Sequence, residues 1–372
     1  MKVLVTGSDG FLAKNLISHL SIIDEIELYL FSKNNSLNEL EDYLKKVDFI
    51  FHLAGVNRPK NKTEFITGNK NLTQFITDTL TEFNKETPLL FSSSIQAVLG
   101  NEYGKSKKDA EKIIQNYSNC TGANVFIYRL HNIFGKWAKP NYNSVIATWC
   151  SKIANNKSIK IDDEKTELSL VYVDDIVKSF IKKMFLKKSF KNKDCQFYDI
   201  KNIYQKNLKE IKDLLIFFSK NRKSLIVPRA GSDFERALYA TYLSYLPIDN
   251  FAYDLKGYDD NKGTFYEIIK TLDSGQFSVS TTAPGITRGN HYHHTKNEKF
   301  LVVKGEALIE HRNIITNEKK SYNVSSNKMK IVEMIPGYTH NITNIGNEEM
   351  VLFLWASECY DKDNPDTFFL EV

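Results

Sequence analysis

The first six residues, Met1-Lys2-Val3-Leu4-Val5-Thr6, are a short apolar run that leads without interruption into Gly7-Ser8-Asp9-Gly10-Phe11-Leu12-Ala13. A strand, a G-x-x-G-x-x-A loop and a helix in that order leave few folds open, because such a unit builds a parallel α/β sheet. Gly7 permits the tight turn, Gly10 lets backbone approach a pyrophosphate, and Ala13 allows the helix to pack close on the sheet. The phosphates of a dinucleotide would rest on the helix N-terminus, where unpaired backbone N–H groups favour negative charge. Gly7, Asp9, Gly10, Phe11 and Leu12 are therefore the expected cofactor contacts.

The second strand, Glu27 to Phe31, should end beside the adenosine ribose. A carboxylate there would select NAD through the ribose hydroxyls. The strand ends instead in Ser32-Lys33-Asn34-Asn35, so NADP(H) is favoured, with Ser32 and Lys33 as 2′-phosphate ligands. The alternative is that Lys33 is a solvated loop lysine. Further on, Tyr103-Gly104-Lys105-Ser106-Lys107 supplies Y-x-x-x-K between the strand-like Leu89 to Ser94 and a helical run. Tyr103 and Lys107 would lie one helical turn apart on one face. An ammonium at Lys107 lowers the cost of forming phenolate at Tyr103 and can hold the nicotinamide ribose, while a serine hydroxyl anchors the substrate oxygen.

The far end of the chain carries a different chemistry. Gly285 to Gly305 reads G-x5-H-x-H-x4-E-x6-G. Side chains at i and i+2 of a strand share a face, so His291 and His293 can point two imidazoles at one ion. Glu298 follows as an anionic third ligand, and His340, just past the Pro336-Gly337 turn, is the fourth. A lone H-x-H is a weak signal, but His291, His293, His294, His311 and His340 all fall in the last quarter of a chain with 8 histidines. Three imidazoles and a carboxylate suit zinc, iron, manganese or nickel.

At 372 residues the chain suits two domains better than one. The two signatures place an α/β domain at 1–244 and an all-β barrel at 250–372, with the seam at Ser244 to Asn250 after a helical Phe234 to Leu243. A net charge of +5, spread along the chain, argues for an anionic small substrate and against a nucleic-acid groove. The cationic Lys182 to Lys193 reads as a solvated helix end. No apolar run is long enough to span a membrane, and the first strand is consumed by the cofactor loop, so neither a membrane anchor nor a cleavable signal is expected. Cys120, Cys150, Cys195 and Cys359 show no paired spacing and read as free thiols in a reducing cytoplasm.

The N-terminal pieces together resemble the extended short-chain dehydrogenase/reductase family. The likeness continues in Asp48-Phe49-Ile50-Phe51-His52-Leu53-Ala54-Gly55, Tyr128-Arg129-Leu130-His131-Asn132-Ile133-Phe134-Gly135 and Val171-Tyr172-Val173-Asp174-Asp175, and more loosely in Gly68-Asn69 and Asn71-Leu72. The resemblance implies a Rossmann-type domain in which Leu53, Ala54 and Gly55 lie over the cofactor. It also implies that Ser94, with Ser93 as the alternative, completes a site with Tyr103 and Lys107, and that Asn132 and Asn143 contact a sugar nucleotide. The histidine spacing is similar to both motifs of the cupin family, the second ending in Asn344, with a bare Pro336-Gly337 where many cupins have Pro-x-Gly. Tyr258 to Phe265 resembles the D-x-R-G-x-F opening of deoxysugar 3,5-epimerase cupins, with Lys262 where Arg is usual.

Over almost its whole length the chain is similar to capsule-biosynthesis enzymes of the CapF type. The strings that carry this are His52 to Pro59, Lys139 to Thr148, His293 to Val303 and Asn364-Pro365-Asp366-Thr367. This resemblance implies a UDP-linked 4-keto-6-deoxy N-acetylhexosamine as substrate, carbon-3 epimerisation in the cupin, NADPH reduction of carbon 4, zinc and a homodimer. The alternatives are a single-activity reductase with a structural cupin, a metal-dependent dioxygenase, and a nucleotide-sensing module. The epimerisation base is not identified; Tyr292, His294, Lys299 and Tyr338 are near the motifs by adjacency only.

Overall fold

The computed structural model describes residues 1–57, 59, 63–186 and 195–372. Arg58 of the His52 to Pro59 string, and residues 187–193 of the cationic stretch, lie outside the described residues. The chain divides into two compact units, residues 1–216 with 237–247 and residues 217–236 with 248–372.

The first unit begins β1 (Lys2–Thr6), α1 (Phe11–Leu20), β2 (Glu27–Phe31), α2 (Leu37–Lys46), β3 (Phe49–His52). A short α3 (Thr63–Phe65) runs through a π-helical turn (Ile66–Asn71) into α4 (Leu72–Glu82), and β4 (Leu89–Ser94) follows. Next come α5 (Glu102–Thr121), β5 (Val125–Leu130), β6 (Asn132–Phe134), α6 (Val145–Ala154), β7 (Glu167–Tyr172), α7 (Val173–Phe185), β8 (Cys195–Tyr198) and β9 (Tyr204–Asn207). Then follow α8 (Leu208–Ser224), whose residues from Phe217 belong to the second unit, and α9 (Asp233–Leu243), which returns to the first unit at Ala237.

Six strands form one parallel sheet in the order β2-β1-β3-β4-β5-β8. Alternating side chains explain why it is covered on both sides. Val3, Val5 and Phe51 pack with α1 and α7 through Leu16 and Phe180. Leu4 and Ile50, one residue out of phase, pack with α2, α4 and α5 through Leu40, Leu44, Ile76 and Ile114. The chain reverses its direction of travel across the sheet between β1 and β3, the point at which an open α/β sheet leaves a crevice for ligand. A small second sheet, β6-β7-β9, flanks it.

α5 starts under close constraint. Asn101 caps it by accepting from the Gly104 N–H at 2.7 Å, and a Cβ built on Gly104 would lie 2.0 Å from the Gln96 carbonyl oxygen. Gly104→Ala is therefore expected to displace the first turn of α5, and Tyr103 with it, costing ~1–3 kcal/mol or more of stability. A denaturant melt shows this as a lowered midpoint, and a wild-type midpoint contradicts it.

In the second unit the strands are β10 (Gly257–Asp260), β11 (Gly263–Lys270), β12 (Gln276–Thr282), β13 (Thr287–Tyr292), β14 (Glu298–Lys304), β15 (Glu306–Asn313), β16 (Lys319–Ser325), β17 (Ile331–Met334), β18 (Tyr338–Asn344), β19 (Met350–Ala356) and β20 (Phe368–Phe369). They form two antiparallel sheets, β10-β11-β12-β19-β14-β17 and β16-β15-β18-β13-β20. Phe300, Val302, Val332, Met334 and Leu352 of the first meet Ala307, Ile309, Val324 and Ile342 of the second in one core. The architecture is a Rossmann-type α/β unit and a second, cupin-like unit built on two antiparallel β-sheets. Among the described residues no helix is long and apolar enough to cross a membrane, and no disulfide joins any of the cysteines.

Candidate active site and metal centre

A cavity of about 1920 Å³ opens at the carboxyl ends of β1, β3, β4 and β5. Gly7, Asp9, Gly10, Phe11, Leu12, Leu53 and Gly55 line it, as do Ser93, Ser94, Tyr103 and Lys107, and Asn132 and Asn143. Ser32, Lys33 and Ala54 are not among its lining residues. Ser32 is engaged with Asn35, its hydroxyl donating to Asn35 Oδ1 at 3.2 Å, and Lys33 is exposed. The end of β2 is nevertheless tied to the glycine loop, since the Ser8 N–H donates to the Phe31 carbonyl.

Gly7 has φ +69° and faces Ala54 so closely that a Cβ would lie 2.7 Å from the Ala54 Cα. Beneath this contact runs a buried chain of hydrogen bonds. The Thr73 hydroxyl donates to the Asn69 carbonyl at 2.6 Å, so it must accept from His52 Nε2 at 2.9 Å. His52 Nδ1 then accepts from the Thr6 hydroxyl at 2.8 Å, and Thr6 accepts from the Ala54 N–H. Burial, with Lys107 nearby, pulls His52 down to about 3, so the imidazole is neutral and its tautomer fixed.

The Ser94 hydroxyl lies beside the Tyr103 phenol; burial raises the phenol above its ordinary value, and Ser94 opposes the rise. Lys107 is 4 % exposed. Its ammonium donates to the Ser92 carbonyl at 3.0 Å and lies 4.8 Å from the Phe91 ring centre. Burial pulls Lys107 down to about 8, against an upward push from Glu111. Ser93 points elsewhere, donating to Glu111 Oε1 at 2.5 Å. Glu111 in turn accepts from Arg129 Nε at 3.0 Å and Nη2 at 2.7 Å. The geometry thus brings Ser94, and not Ser93, to the phenol.

Two braces escaped the sequence reading. Asn69, on the π-helical turn, accepts from the Val56 N–H and donates to the Val56 carbonyl and the Ser106 hydroxyl. Ser106 passes the restraint on to the Tyr103 carbonyl at 2.7 Å. The loose match at Gly68-Asn69 was the available signal. The Glu111–Arg129 pair had only helical spacing from Lys107 to announce it.

In the second unit His291, His293, Glu298 and His340 come together, one ligand atom from each lying within 4.8 Å of the others. β13 pairs with β18 so that His291 and His340 face each other across the ladder, next to a register shift. Glu298 opens β14, with its Oε2 3.6 Å from His293 Nε2 and 3.5 Å from His340 Nε2. Those separations are too long for hydrogen bonds, and both Nε2 atoms are buried without a partner among the described residues. Burial pushes the Glu298 carboxyl up, but the two imidazoles beside it hold it well below the usual carboxylate range. Buried imidazole nitrogens without a hydrogen-bond partner, converging on a carboxylate, fit a divalent cation.

The C-terminal segment fixes the orientation. His293 Nδ1 donates to the Asp366 carbonyl at 2.6 Å, which turns Nε2 toward Glu298. The Asp366 carboxylate accepts from the backbone N–H groups of His294, Thr295 and Lys296. That holds its pKa well below the ordinary value despite a cost of burial. The other histidine-rich residues do not join the cluster: His311 Nε2 donates to the Glu333 carbonyl, while Tyr292 and His294 pack on Phe368. Lys299 pairs with Glu333, and Tyr338 offers its carbonyl to His340.

Residues 3–194 match the model of the NAD dependent epimerase/dehydratase family, and residues 258–368 that of the polysaccharide biosynthesis C-terminal domain. A Pseudomonas aeruginosa protein named UDP-2-acetamido-2,6-beta-L-arabino-hexul-4-ose reductase is 46% identical over 372 residues, covering 100% of this chain and 99% of its own. The crystal structure of the capsular polysaccharide assembling protein CapF from Staphylococcus aureus superposes with a TM-score of 0.92 at 45% identity, over 100% of both chains. UDP-glucuronic acid 4-epimerase from Bacillus cereus, at 17% identity and a TM-score of 0.56 over 66% of this chain and 98% of its own, shares the fold of the first unit. The chain belongs to the CapF-type family, in which an NAD-dependent epimerase/dehydratase domain is joined to a polysaccharide biosynthesis C-terminal domain.

Proposed function

We propose that the chain carries out two steps on one UDP-linked 2-acetamido-2,6-dideoxy-4-hexulose. The cupin unit inverts carbon 3 and the Rossmann-type unit reduces carbon 4 with NADPH. The product is a UDP-6-deoxy-talosamine-type sugar on the route to UDP-N-acetyl-L-fucosamine for capsule or O-antigen, made in the cytoplasm by a homodimer. The observation that carries the reading is the convergence of the glycine loop, Ser94, Tyr103 and Lys107 on one cavity large enough for cofactor and sugar nucleotide together. The full-length likeness to a protein named as a reductase of such a hexulose supports it.

Bound NADPH supplies hydride to carbon 4. Ser94 holds the ketone oxygen, Tyr103 gives it a proton, and the Lys107 ammonium stabilises the phenolate left behind. A zinc or similar ion held by His291, His293, Glu298 and His340 would act as a Lewis acid toward a keto oxygen, which acidifies the adjacent carbon 3. Adding the keto sugar should start NADPH oxidation, and no oxidation would contradict the reading. Four protein ligands also favour a second reading, a single-activity reductase with a structural zinc, because structural sites are closed. Proton exchange at carbon 3 without NADPH separates the two, since only the bifunctional enzyme exchanges.

Lys33→Asp is expected to shift preference toward NADH, because it places a carboxylate where the 2′-phosphate would lie. The ratio of kcat/KM for the two cofactors reads this directly. An unchanged preference shows that Lys33 faces solvent and another cation reads the phosphate.

A further inference from the structure

We propose that Glu111 is a positioning residue for reduction: it locks the Ser93–Ser94 end of β4 to α5 and is the counter-charge of the Lys107 ammonium. The inference rests on the reading that Tyr103 and Lys107 carry the reduction. Glu111 is 2 % exposed. It lies four residues after Lys107 on α5, one helical turn further along the same face. Its hydrogen bond from Ser93 fixes the residue next to Ser94, the serine that meets the Tyr103 phenol. Arg129 binds both carboxylate oxygens and is itself stacked 4.3 Å over the Phe197 ring, so the carboxylate is held rigidly.

A buried ammonium needs a compensating charge, or it sheds its proton. Among the described residues the charged and titratable groups around Lys107 are few. On α5 they are Tyr103 and Glu111, on β3 the neutral His52, and on β5 Arg129, with Asp199 beyond it. Glu111 is the carboxylate whose charge raises Lys107 against the downward pull of burial. An Arg129–Glu111 pair serving stability alone would act on the fold and leave Lys107 as it is.

The test is the pH profile of kcat/KM for NADPH-dependent reduction of the keto sugar, with melting temperature measured alongside. Glu111→Gln keeps the shape and removes the charge. It is expected to move the alkaline limb to lower pH by about one unit, because Lys107 then loses its proton sooner. It is also expected to lower kcat at least about tenfold. Arg129→Met breaks the same ion pair but leaves the carboxylate; losing a nearby cation favours the Lys107 ammonium, so no downward shift is expected. If Glu111→Gln fails to fold, the Glu111→Gln/Arg129→Met double variant removes both members of the ion pair and should still shift the limb downward, by less than Glu111→Gln alone because the loss of Arg129 opposes it. A folded Glu111 variant with the wild-type limb, or an equal downward shift in Arg129→Met, overturns the proposal while the Tyr103 reading stands. Reduction that survives in Tyr103→Phe overturns that reading itself and the proposal with it.

Discussion

Tyr103→Phe is expected to lose NADPH oxidation by a factor of about 10²–10⁴ or more while binding NADPH nearly as well as the wild type. The variant removes one hydroxyl and no packing: the ring contact with Phe65, 5.9 Å between centres, survives. What disappears is the hydroxyl beside Ser94 that the proposed reduction uses as its proton donor. Burial raises this phenol's pKa, which keeps it protonated and able to donate at neutral pH. Lys107→Ala should be worse in a distinguishable way, lowering kcat and weakening NADPH together, because in the proposed reaction one ammonium would serve both phenolate and ribose. Fluorescence titration of NADPH separates the cases, and loss of binding in Tyr103→Phe comparable to the loss of turnover would make the tyrosine structural.

The order of elements was legible because chemistry and structure coincide in the same residues. Val3-Leu4-Val5 buries alternate side chains on opposite faces of a parallel sheet, and only a glycine tolerates the φ of +69° and the contact with Ala54 that follow at position 7. The convergence of His291, His293, Glu298 and His340 was legible for a similar reason, since the H-x-H spacing at the end of β13 puts His291 and His293 on one side. What stayed hidden was support assembled from distant segments. Nothing local in Asp366 announces that its carbonyl orients His293 from 73 residues away. The Asn69 brace needs a π-helical turn, and the Ser93–Glu111–Arg129 link joins two strands and a helix. Ser93 and Ser94 are equivalent on paper and become distinct only when α5 places Tyr103 beside one and Glu111 beside the other.

His291→Ala is expected to strip the cupin unit of its metal and stop proton exchange at carbon 3. Removing one of three imidazoles leaves two nitrogens and Glu298, too few to close a tetrahedral protein site. Reduction should survive, because its acid, ammonium and cofactor loop all belong to the first unit. The product should then keep the unepimerised carbon-3 configuration. Metal content by elemental analysis and a melting curve must accompany the assay, since loss of a structural ion could unfold the barrel and mimic loss of chemistry.

The most direct test of two chemistries on one chain is deuterium incorporation at carbon 3 of the keto sugar in heavy water, followed by NMR without NADPH in Tyr103→Phe and His291→Ala side by side. The account predicts wild-type exchange in Tyr103→Phe, which cannot reduce, and no exchange in His291→Ala, which can. Exchange lost in metal-loaded Tyr103→Phe, or retained in metal-free His291→Ala, would contradict it.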